Sequence, residues 1–251
     1  MPALVRFEID AQEARVASVT LCDAARRNAL STAMFADFTH ALDELQSTTP
    51  QPTVLILRSE GAHFCSGFDL AAIVQAPLLA IELLASLSHI IRRLKRLDAI
   101  VIAEVRGAAL AGGCALLTAC DFVVAAPDAQ LGYPTHRIGI SPAVSIPSLL
   151  PKTRGATRSL LVSNDIVSGS RAHALGLVTH VADDPRTAAN ALTTQLLCKE
   201  PVALRATKRY FNTLENTDEN AVFDAALHAS AQLAHGEEFT RMLTAFWAAK
   251  S

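Results

Sequence analysis

The order of short apolar runs and longer helical segments is the feature that most constrains how this 251-residue chain can fold. Two strand-like runs, VRFEID and ARVASVTLC, flank a polar AQE turn, which predicts a β-hairpin. The segment NALSTAMFADFTHALDELQ follows with apolar residues at helical spacing and with Ser31 as the expected N-cap. The runs TVLILRSEG, AIVIAEVRG and DFVVAAPDAQLGY predict strands that alternate with further helices. This β-β-α, β-α, β-α, β order predicts an α/β fold with helices packed on a sheet.

The remainder of the chain is predicted to be mostly helical. SGSRAHALGLVTHVAD predicts a short helix that ends at Gly176 in the left-handed conformation. The last helix carries an apolar stripe of Phe239, Met242, Leu243, Phe246 and Trp247. This stripe either packs on the chain's own core or forms a subunit interface. We divide the chain into a core domain, residues 1–190, and a C-terminal helical region, residues 191–251.

Composition and charge exclude several classes of protein. The formal net charge of −2 gives no electrostatic reason to expect nucleic acid as a partner. The N-terminus lacks the pattern of a secretory signal, and the uncharged run from Gly107 to Cys120 is shorter than the ~20 residues that cross a bilayer. We therefore expect no membrane partner. The five cysteines include no C-x-x-C pair, so we expect a cytoplasmic protein with reduced thiols and no metal site. The basic residues of IIRRLKRLD predict a solvated helix face.

A Gly-Gly pair in GAALAGGCALLTACDFVVAA stands between a predicted strand and a predicted helix. The first N–H groups of a helix have no partner inside the helix, and glycine lets a ligand oxygen approach them. Neither G-K-[ST] nor G-x-G-x-x-G is present, so a nucleotide phosphate is poorly supported. Two interpretations remain, a packing device and a backbone donor aimed at a carbonyl oxygen that becomes negative during a reaction.

Five segments in a fixed order carry a resemblance over residues 4–247. They are ARRNALSTAM, RSEGAHFCSGFDL, EVRGAALAGGCALLTACDFVVAA, AQLGYPTHRIGISPA and HALGLVTHV. Together they resemble the crotonase superfamily, which is the enoyl-CoA hydratase/isomerase family. The resemblance implies a spiral of β-β-α units with a C-terminal helical trimerisation region, assembled as a homotrimer or a dimer of trimers. It also implies an acyl-CoA thioester as substrate and a role in fatty acid metabolism, with coenzyme A as part of the substrate and no permanently bound cofactor.

The resemblance also assigns residues. It implies an oxyanion hole made of the backbone N–H groups of Phe68 and Gly112, which would stabilise a thioester enolate. Ala111 replaces the first glycine of the family's triplet, which we expect to be a mild change. Arg26 is the candidate for the coenzyme A phosphates, with surface charge as the alternative. The other residues expected to bind substrate or coenzyme A are Ala29, Ser66, Gly67, Asp69, Leu70, Gly113, Ala115 and Tyr133.

Both glutamates that hydratases of this family use for proton transfer are replaced, by Ala115 and Thr135. A methyl group transfers no proton and a threonine hydroxyl is a poor base, so we expect isomerisation, decarboxylation or thioester hydrolysis instead. The alternatives are a catalytically silent acyl-CoA-binding or assembly subunit and a hydratase with relocated catalytic groups. His136 is the first candidate for a replacement acid or base, with Thr135 second. Glu82 and His89 are weaker candidates for a base, and Cys65 and Cys114 for a nucleophile, with buried structural thiols as the alternative. Tyr133, Ser141, Ser145 and Asp69 are candidates for orienting a carboxylate or a water, with helix capping as the alternative for Asp69.

The methyl group of Ala115 also suggests which acyl groups the pocket would accept. Phe68, Leu70 and Ala115 predict a pocket that is apolar on one side. Such a pocket would tolerate bulky or aromatic acyl chains.

Overall fold

The computed structural model describes residues 2–163 and 165–249, which form strands and helices in nearly regular alternation. The strands are β1 (Val5–Ile9), β2 (Val16–Leu21), β3 (Val54–Ser59), β4 (Ile100–Val105), β5 (Ala108–Leu110), β6 (Phe122–Ala125), β7 (Gln130–Gly132), β8 (Ile166–Ser168) and β9 (His180–Val181). The helices are α1 (Thr32–Ser47), α2 (Leu70–Gln75), α3 (Leu79–Arg96), α4 (Gly112–Thr118), α5 (Ile146–Thr153), α6 (Thr157–Val162), α7 (Gly169–Ala174), α8 (Pro185–Leu197), α9 (Pro201–Leu214), α10 (Asn220–Ala234) and α11 (Glu237–Ala248).

Two sheets organise the α/β part of the molecule. The larger has the strand order β1-β2-β3-β4-β6-β9, and the smaller has the order β5-β7-β8. Strands β1 and β2 are antiparallel, with Val5 opposite Leu21, which confirms the predicted hairpin. From β2 to β9 the neighbouring strands of the larger sheet are parallel.

The segment DFVVAAPDAQLGY is not the single strand that its sequence predicts. It contains β6 in the larger sheet and β7 in the smaller one. The chain turns between them at Pro127 and Asp128, where the N–H of Ala129 donates to the carbonyl of Ala126. Proline has no N–H for a strand ladder, so the run of apolar residues is broken there.

Helices cover both faces of the larger sheet. The main buried cluster includes Phe38 and Leu42 of α1 and Leu87 and Ile91 of α3. The predicted N-cap of α1 is confirmed, because the Ser31 side chain accepts a hydrogen bond from the backbone N–H of Met34 at 3.1 Å.

Helix α8 packs on the opposite face of that sheet. Its Ala189 and Leu196 share a second buried cluster with Val54 and Ile102 of the strands. The boundary that we drew between residues 190 and 191 therefore falls inside a helix that packs on the sheet, and the chain shows no structural break there.

The basic face of α3 is not the solvated surface that we predicted. Lys95 is only 7 % exposed and its Nζ lies 2.8 Å from Glu215 Oε2, just after α9. Arg92 pairs with Asp224 of α10 at 2.6 Å. These basic side chains tie α3 to the C-terminal helices.

The last helix contributes to the core and lies against the loops that follow β7. Phe239 and Leu243 belong to the main buried cluster, with Phe246 packed against it, whereas Trp247 is 36 % exposed. The stripe thus packs mainly on the chain's own core. No helix within the described residues combines the length and the apolar composition needed to cross a bilayer.

Candidate active site

The N-terminus of helix α4 lies against residues 66–69. The N–H of Cys65 donates to the carbonyl of Ala108 at 3.0 Å, and the N–H of Leu110 donates back to the carbonyl of Cys65 at 2.9 Å. These bonds set the segment beside β5, the strand that leads into α4. The two glycine-containing segments, which are distant in sequence, therefore meet at one place.

Two glycines allow this close approach. Gly67 has φ of +92°, which side chains rarely adopt, and a Cβ on it would lie 3.1 Å from Ala111 Cβ and 3.6 Å from Gly112 N. A Cβ on Gly113 would lie 2.5 Å from the carbonyl oxygen of Cys65. Any side chain at either position would push the segments apart, so the Gly-Gly pair is a packing device as well as a helix start.

Two backbone N–H groups at this meeting point have no acceptor among the residues that the structure describes. Phe68 follows Gly67, whose carbonyl accepts from Leu30 N at 2.8 Å, but the N–H of Phe68 itself is unused. Gly112 is the first residue of α4, so its N–H has no helical partner. Two unpaired amides beside one cavity are suited to donate to a single ligand oxygen.

Ala111 holds a backbone conformation that is unusual for a residue with a side chain. Its φ is 49° and its ψ is −113°, outside the left-handed helical region and in a region that glycine occupies freely. The expectation that alanine is a mild change here is wrong for the backbone, because the position itself requires a strained conformation. The amide of Ala111 is held by the carbonyl of Gly132 at 2.8 Å.

A cavity of about 250 Å³ opens beside these amides. Most of its wall is apolar. The lining residues are Ser66, Phe68, Leu70, Leu84, Leu87, Leu110, Ala111, Gly112, Ala115, Tyr133, Pro134, Thr135, Arg137, Ile138, Ile140, Ser141, Pro142, Val144, Ser145, Ile166 and Phe246.

The lining is poor in groups that transfer protons near neutral pH. Among the described residues that line the cavity there is no Asp, Glu, His, Lys or Cys. Its titratable side chains are those of Tyr133 and Arg137. Burial raises the pKa of Tyr133 well above its ordinary value, with the neighbouring Cys114 thiol adding to the effect, so the phenol stays neutral.

Comparison with known proteins assigns the chain to a family. The family model described as "Enoyl-CoA hydratase/isomerase" matches residues 11–250, nearly the whole chain. The chain belongs to the enoyl-CoA hydratase/isomerase family. It therefore has the crotonase fold that the sequence motifs predicted.

Individual relatives agree with the family assignment. An enoyl-CoA isomerase/hydratase of Mycosarcoma maydis is 32 % identical over 72 % of this chain and 71 % of its own. A 2,3-dehydroadipyl-CoA hydratase of Escherichia coli is 30 % identical over 80 % of each chain. The crystal structure of an enoyl-CoA hydratase from Mycobacterium avium superposes with a TM-score of 0.87 at 29 % identity, covering 99 % of this chain and 98 % of that one.

The two positions at which we expected a family hydratase to carry glutamate both line the cavity. They are Ala115 on α4 and Thr135 after β7, whose side chains are a methyl group and a hydroxyl-bearing group. His136, the first candidate for a replacement, is half-buried and is not among the lining residues. The structure thus brings Thr135 to the cavity wall and leaves the neighbouring imidazole outside it.

Tyr133, Ser141 and Ser145 line the cavity, whereas Glu82, His89, Cys65 and Cys114 do not. Helix α3 lines it through Leu84 and Leu87, whereas Glu82 and His89 are exposed to solvent. Cys65 and Cys114 are fully buried, and burial raises the pKa of each thiol to about 12. Neither thiol has the thiolate character that a nucleophile needs.

The segments predicted to bind coenzyme A lie side by side. The N–H of Ser66 donates to the carbonyl of Arg27, and the N–H of Asp69 donates to the carbonyl of Leu30. Arg26 is exposed and its guanidinium lies 3.7 Å from the Asp69 carboxylate. Asp69 caps α2 by accepting from the N–H of Ala72.

Two residues that matter here were missed in the sequence. Asn28 is fully buried with φ of 54°, and its side chain accepts from Asp23 N and donates to the carbonyls of Glu60 and His63, which fixes the loop before Ala29. Arg137 lines the cavity from an exposed position. The available signal for Asn28 is its residue type, because asparagine adopts the left-handed backbone conformation more readily than most residues.

Proposed function

We propose that the protein binds an acyl-CoA thioester and stabilises its enolate between the N–H groups of Phe68 and Gly112. The family supplies the class of ligand. The two unpaired amides beside one apolar cavity support the position of the thioester carbonyl. A donor of this kind contributes ~3 kcal/mol to transition-state stabilisation when the oxygen becomes negative.

The composition of the cavity wall is the observation that favours one reaction over the others. Hydration needs one group to activate water and another to protonate carbon, and isomerisation needs a base that removes one proton and returns it elsewhere. The described lining residues contain no carboxylate, imidazole, thiol or amine. The site therefore favours a reaction that makes an enolate without a protein base.

Decarboxylation fits this wall better than isomerisation or thioester hydrolysis. When the bond between the α-carbon and a carboxylate breaks, its electron pair moves into the enolate and carbon dioxide leaves. No proton has to be removed by the protein, and one proton then returns to carbon from water or a neutral hydroxyl. An apolar wall also replaces part of the water around the carboxylate, which favours its loss.

A panel of thioesters tests this proposal. Purified protein is incubated with crotonyl-CoA, a 3-enoyl-CoA and a 2-carboxyacyl-CoA, and loss of the conjugated double bond, isomerised product, carbon dioxide and free thiol are each measured. We expect carbon dioxide release without hydration of crotonyl-CoA. Hydration of crotonyl-CoA at a rate typical of the family would contradict the proposal and would mean a hydratase with relocated catalytic groups.

The second candidate is a catalytically silent member that binds acyl-CoA or serves as an assembly subunit. The same lack of proton-transfer groups in the wall favours it. Tight binding of acyl-CoA in a titration, without any product over the whole panel, would select this candidate.

We also propose that the cavity accepts bulky or aromatic acyl groups. Ala115 is 1 % exposed and presents a methyl group where a charged side chain would otherwise stand. Leucine and phenylalanine side chains cover much of the remaining wall. We expect bulky or aromatic acyl groups to bind at least as tightly as acetyl-CoA, which competition titrations measure.

We further propose that the protein assembles as a homotrimer or a dimer of trimers through its C-terminal helices. These helices expose large apolar side chains, which in a monomer would face water. They are Val202, Tyr210, Phe211 and Leu214 of α9, Leu233 of α10 and Trp247 of α11. Light scattering that gives the mass of a single chain would contradict this proposal.

A further inference from the structure

Three hydroxyl groups in the cavity wall have no hydrogen-bond partner among the described residues. They belong to Tyr133, Thr135 and Ser145, and each oxygen is itself buried. Tyr133 and Ser145 are both 1 % exposed as whole residues. Buried hydroxyls in native proteins almost always have a partner, and an occupant of the cavity can supply the one that these three lack.

The three hydroxyls belong to residues that line the same cavity. Tyr133 and Thr135 are two residues apart in Gly132–Arg137, and Ser145 comes from the turn before α5. The Tyr133 phenol lies near the Ser145 hydroxyl and the Cys114 thiol without bonding to either in normal geometry. The cluster faces an otherwise apolar wall that includes Ile138 and Val144.

From this arrangement we infer that the acyl group carries a hydrogen-bond-accepting oxygen, a carbonyl or a carboxylate, which the hydroxyls of Tyr133, Thr135 and Ser145 bind. A hydrocarbon acyl group gains apolar contacts in this cavity but gives these hydroxyls no partner, so it binds less tightly than an oxygenated acyl group of the same shape. A site built on hydrogen bonds rejects an analogue that lacks the partner atom far more strongly than an apolar pocket rejects an extra methyl group.

The protonation state of the cluster agrees with a role as donor. Burial raises the pKa of the Tyr133 phenol, which therefore keeps its proton through the neutral range. Serine and threonine hydroxyls are neutral donors at every accessible pH. The inference rests on the proposed function only in that the ligand is an acyl-CoA.

Three thioesters of matched shape test the inference. In acetoacetyl-CoA carbon 3 bears a methyl group and a carbonyl oxygen, in malonyl-CoA it bears two carboxylate oxygens, and in isovaleryl-CoA it bears two methyl groups. Dissociation constants are measured by calorimetric titration of the full chain, with initial rates monitored for any turnover of malonyl-CoA. We expect at least one oxygenated thioester to bind about ten- to a hundredfold tighter than isovaleryl-CoA.

The variants Tyr133→Phe, Thr135→Val and Ser145→Ala each remove one hydroxyl with little change of shape. We expect Tyr133→Phe to reduce the preference by about tenfold while isovaleryl-CoA binds as before or better. Thr194→Val is the matched control for Thr135→Val, because Thr194 is exposed on α8 and lies outside the cavity lining. Thermal unfolding of each variant checks that the fold is retained.

The outcomes separate the inference from the proposed function. Tighter binding of malonyl-CoA identifies a carboxylate as the preferred oxygen, and tighter binding of acetoacetyl-CoA identifies a carbonyl. Equal affinity for all three thioesters, or a preference that survives in all three cavity variants, overturns the inference while acyl-CoA binding stands. If none of the thioesters binds, the proposed function fails and the inference fails with it.

Discussion

At the residue scale, the proposed site depends on backbone atoms rather than on side chains that transfer protons. Gly67 and Gly113 allow two chain segments to approach closely enough for the amides of Phe68 and Gly112 to share one cavity. Alanine at position 111 shows how strictly this geometry is held, since it keeps a backbone conformation that suits glycine. In the proposed function, Ala115 and Thr135 supply no acid or base for proton transfer, and the two amides alone stabilise the enolate.

Removing the N–H of Gly112 should abolish most of the catalytic effect. Gly112→Pro deletes this donor at the first position of a helix, where proline is otherwise tolerated. We expect kcat on a productive thioester to fall by about 10²–10³. The control is Gly112→Ala, which keeps the N–H and adds a Cβ whose nearest neighbour is the flexible end of Leu30 at 2.8 Å. Equal losses in both variants, with folding intact, would mean that the donor has no special role.

Ala111→Gly should stabilise the protein. Glycine adopts φ of 49° and ψ of −113° without strain, so relief of strain should exceed the added entropy of the unfolded chain. We expect the free energy of unfolding to rise by about 1 kcal/mol in urea denaturation. Ala36→Gly, at an exposed position inside α1, should instead lower it by about 0.5–1 kcal/mol. A destabilised Ala111→Gly protein would show that the alanine methyl contributes packing that outweighs the strain.

The pH dependence of turnover should be flat. The pKa of Tyr133 is raised well above its ordinary value, and the lining residues include no carboxylate or imidazole. We therefore expect kcat/KM to be constant between about pH 6 and 9, because a bell-shaped profile reports an essential acid and base in the free enzyme. Two inflections within this range, measured with a productive thioester, would reveal proton-transfer groups that the proposal does not contain.

At the element scale, the C-terminal helices are joined to the sheet by buried ion pairs as well as by apolar contacts. The Nζ of Lys208 on α9 lies 2.7 Å from both the Asp121 carboxylate and the carbonyl of Ala99. The same carboxylate oxygen accepts from the N–H of Val101 in β4. Lys208 therefore fixes α9 against the ends of the strands that lead toward the site.

Lys208→Met should weaken the whole fold rather than one helix. It removes the cation beside the Asp121 carboxylate, which then keeps the N–H of Val101 as its hydrogen-bond donor. It also removes the side-chain donor to the Ala99 carbonyl, and Lys208 itself is only 5 % exposed. We expect a loss of about 3 kcal/mol in the free energy of unfolding, measured by denaturation. Lys199→Met, at an exposed position before α9, should change stability by less than about 0.5 kcal/mol. Similar small effects in both variants would show that α9 is held by its apolar contacts alone.

The hairpin, the cap at Ser31 and the helix start at Gly112 follow from local rules and could be predicted from the sequence. The break of DFVVAAPDAQLGY into two strands of different sheets could not be, because it depends on which sheet each half joins. The orientation of His136 away from the cavity depends on the turn after Tyr133, and the pairing of the basic face of α3 depends on distant helices. Tertiary contacts decided each of these features.

At the scale of the whole molecule, segments from at least five parts of the chain surround one cavity. The loop before α2 and the start of α4 supply the amides, α3 supplies apolar wall, the turns after β7 supply the hydroxyls, and α11 covers the wall with Phe246. The fold of the enoyl-CoA hydratase/isomerase family thus surrounds a cavity whose described lining includes no carboxylate, imidazole, thiol or amine. In the proposed function, backbone amides bind the thioester and side chains select the acyl group.

The central claim is that Phe68 and Gly112 hold the thioester oxygen. A crystal structure of the full-length protein with a nonhydrolysable acyl-CoA analogue tests it most directly. We predict that both amide nitrogens lie about 2.7–3.1 Å from the carbonyl oxygen of the analogue. A bound analogue whose carbonyl oxygen lies beyond hydrogen-bond distance of both nitrogens would contradict the account.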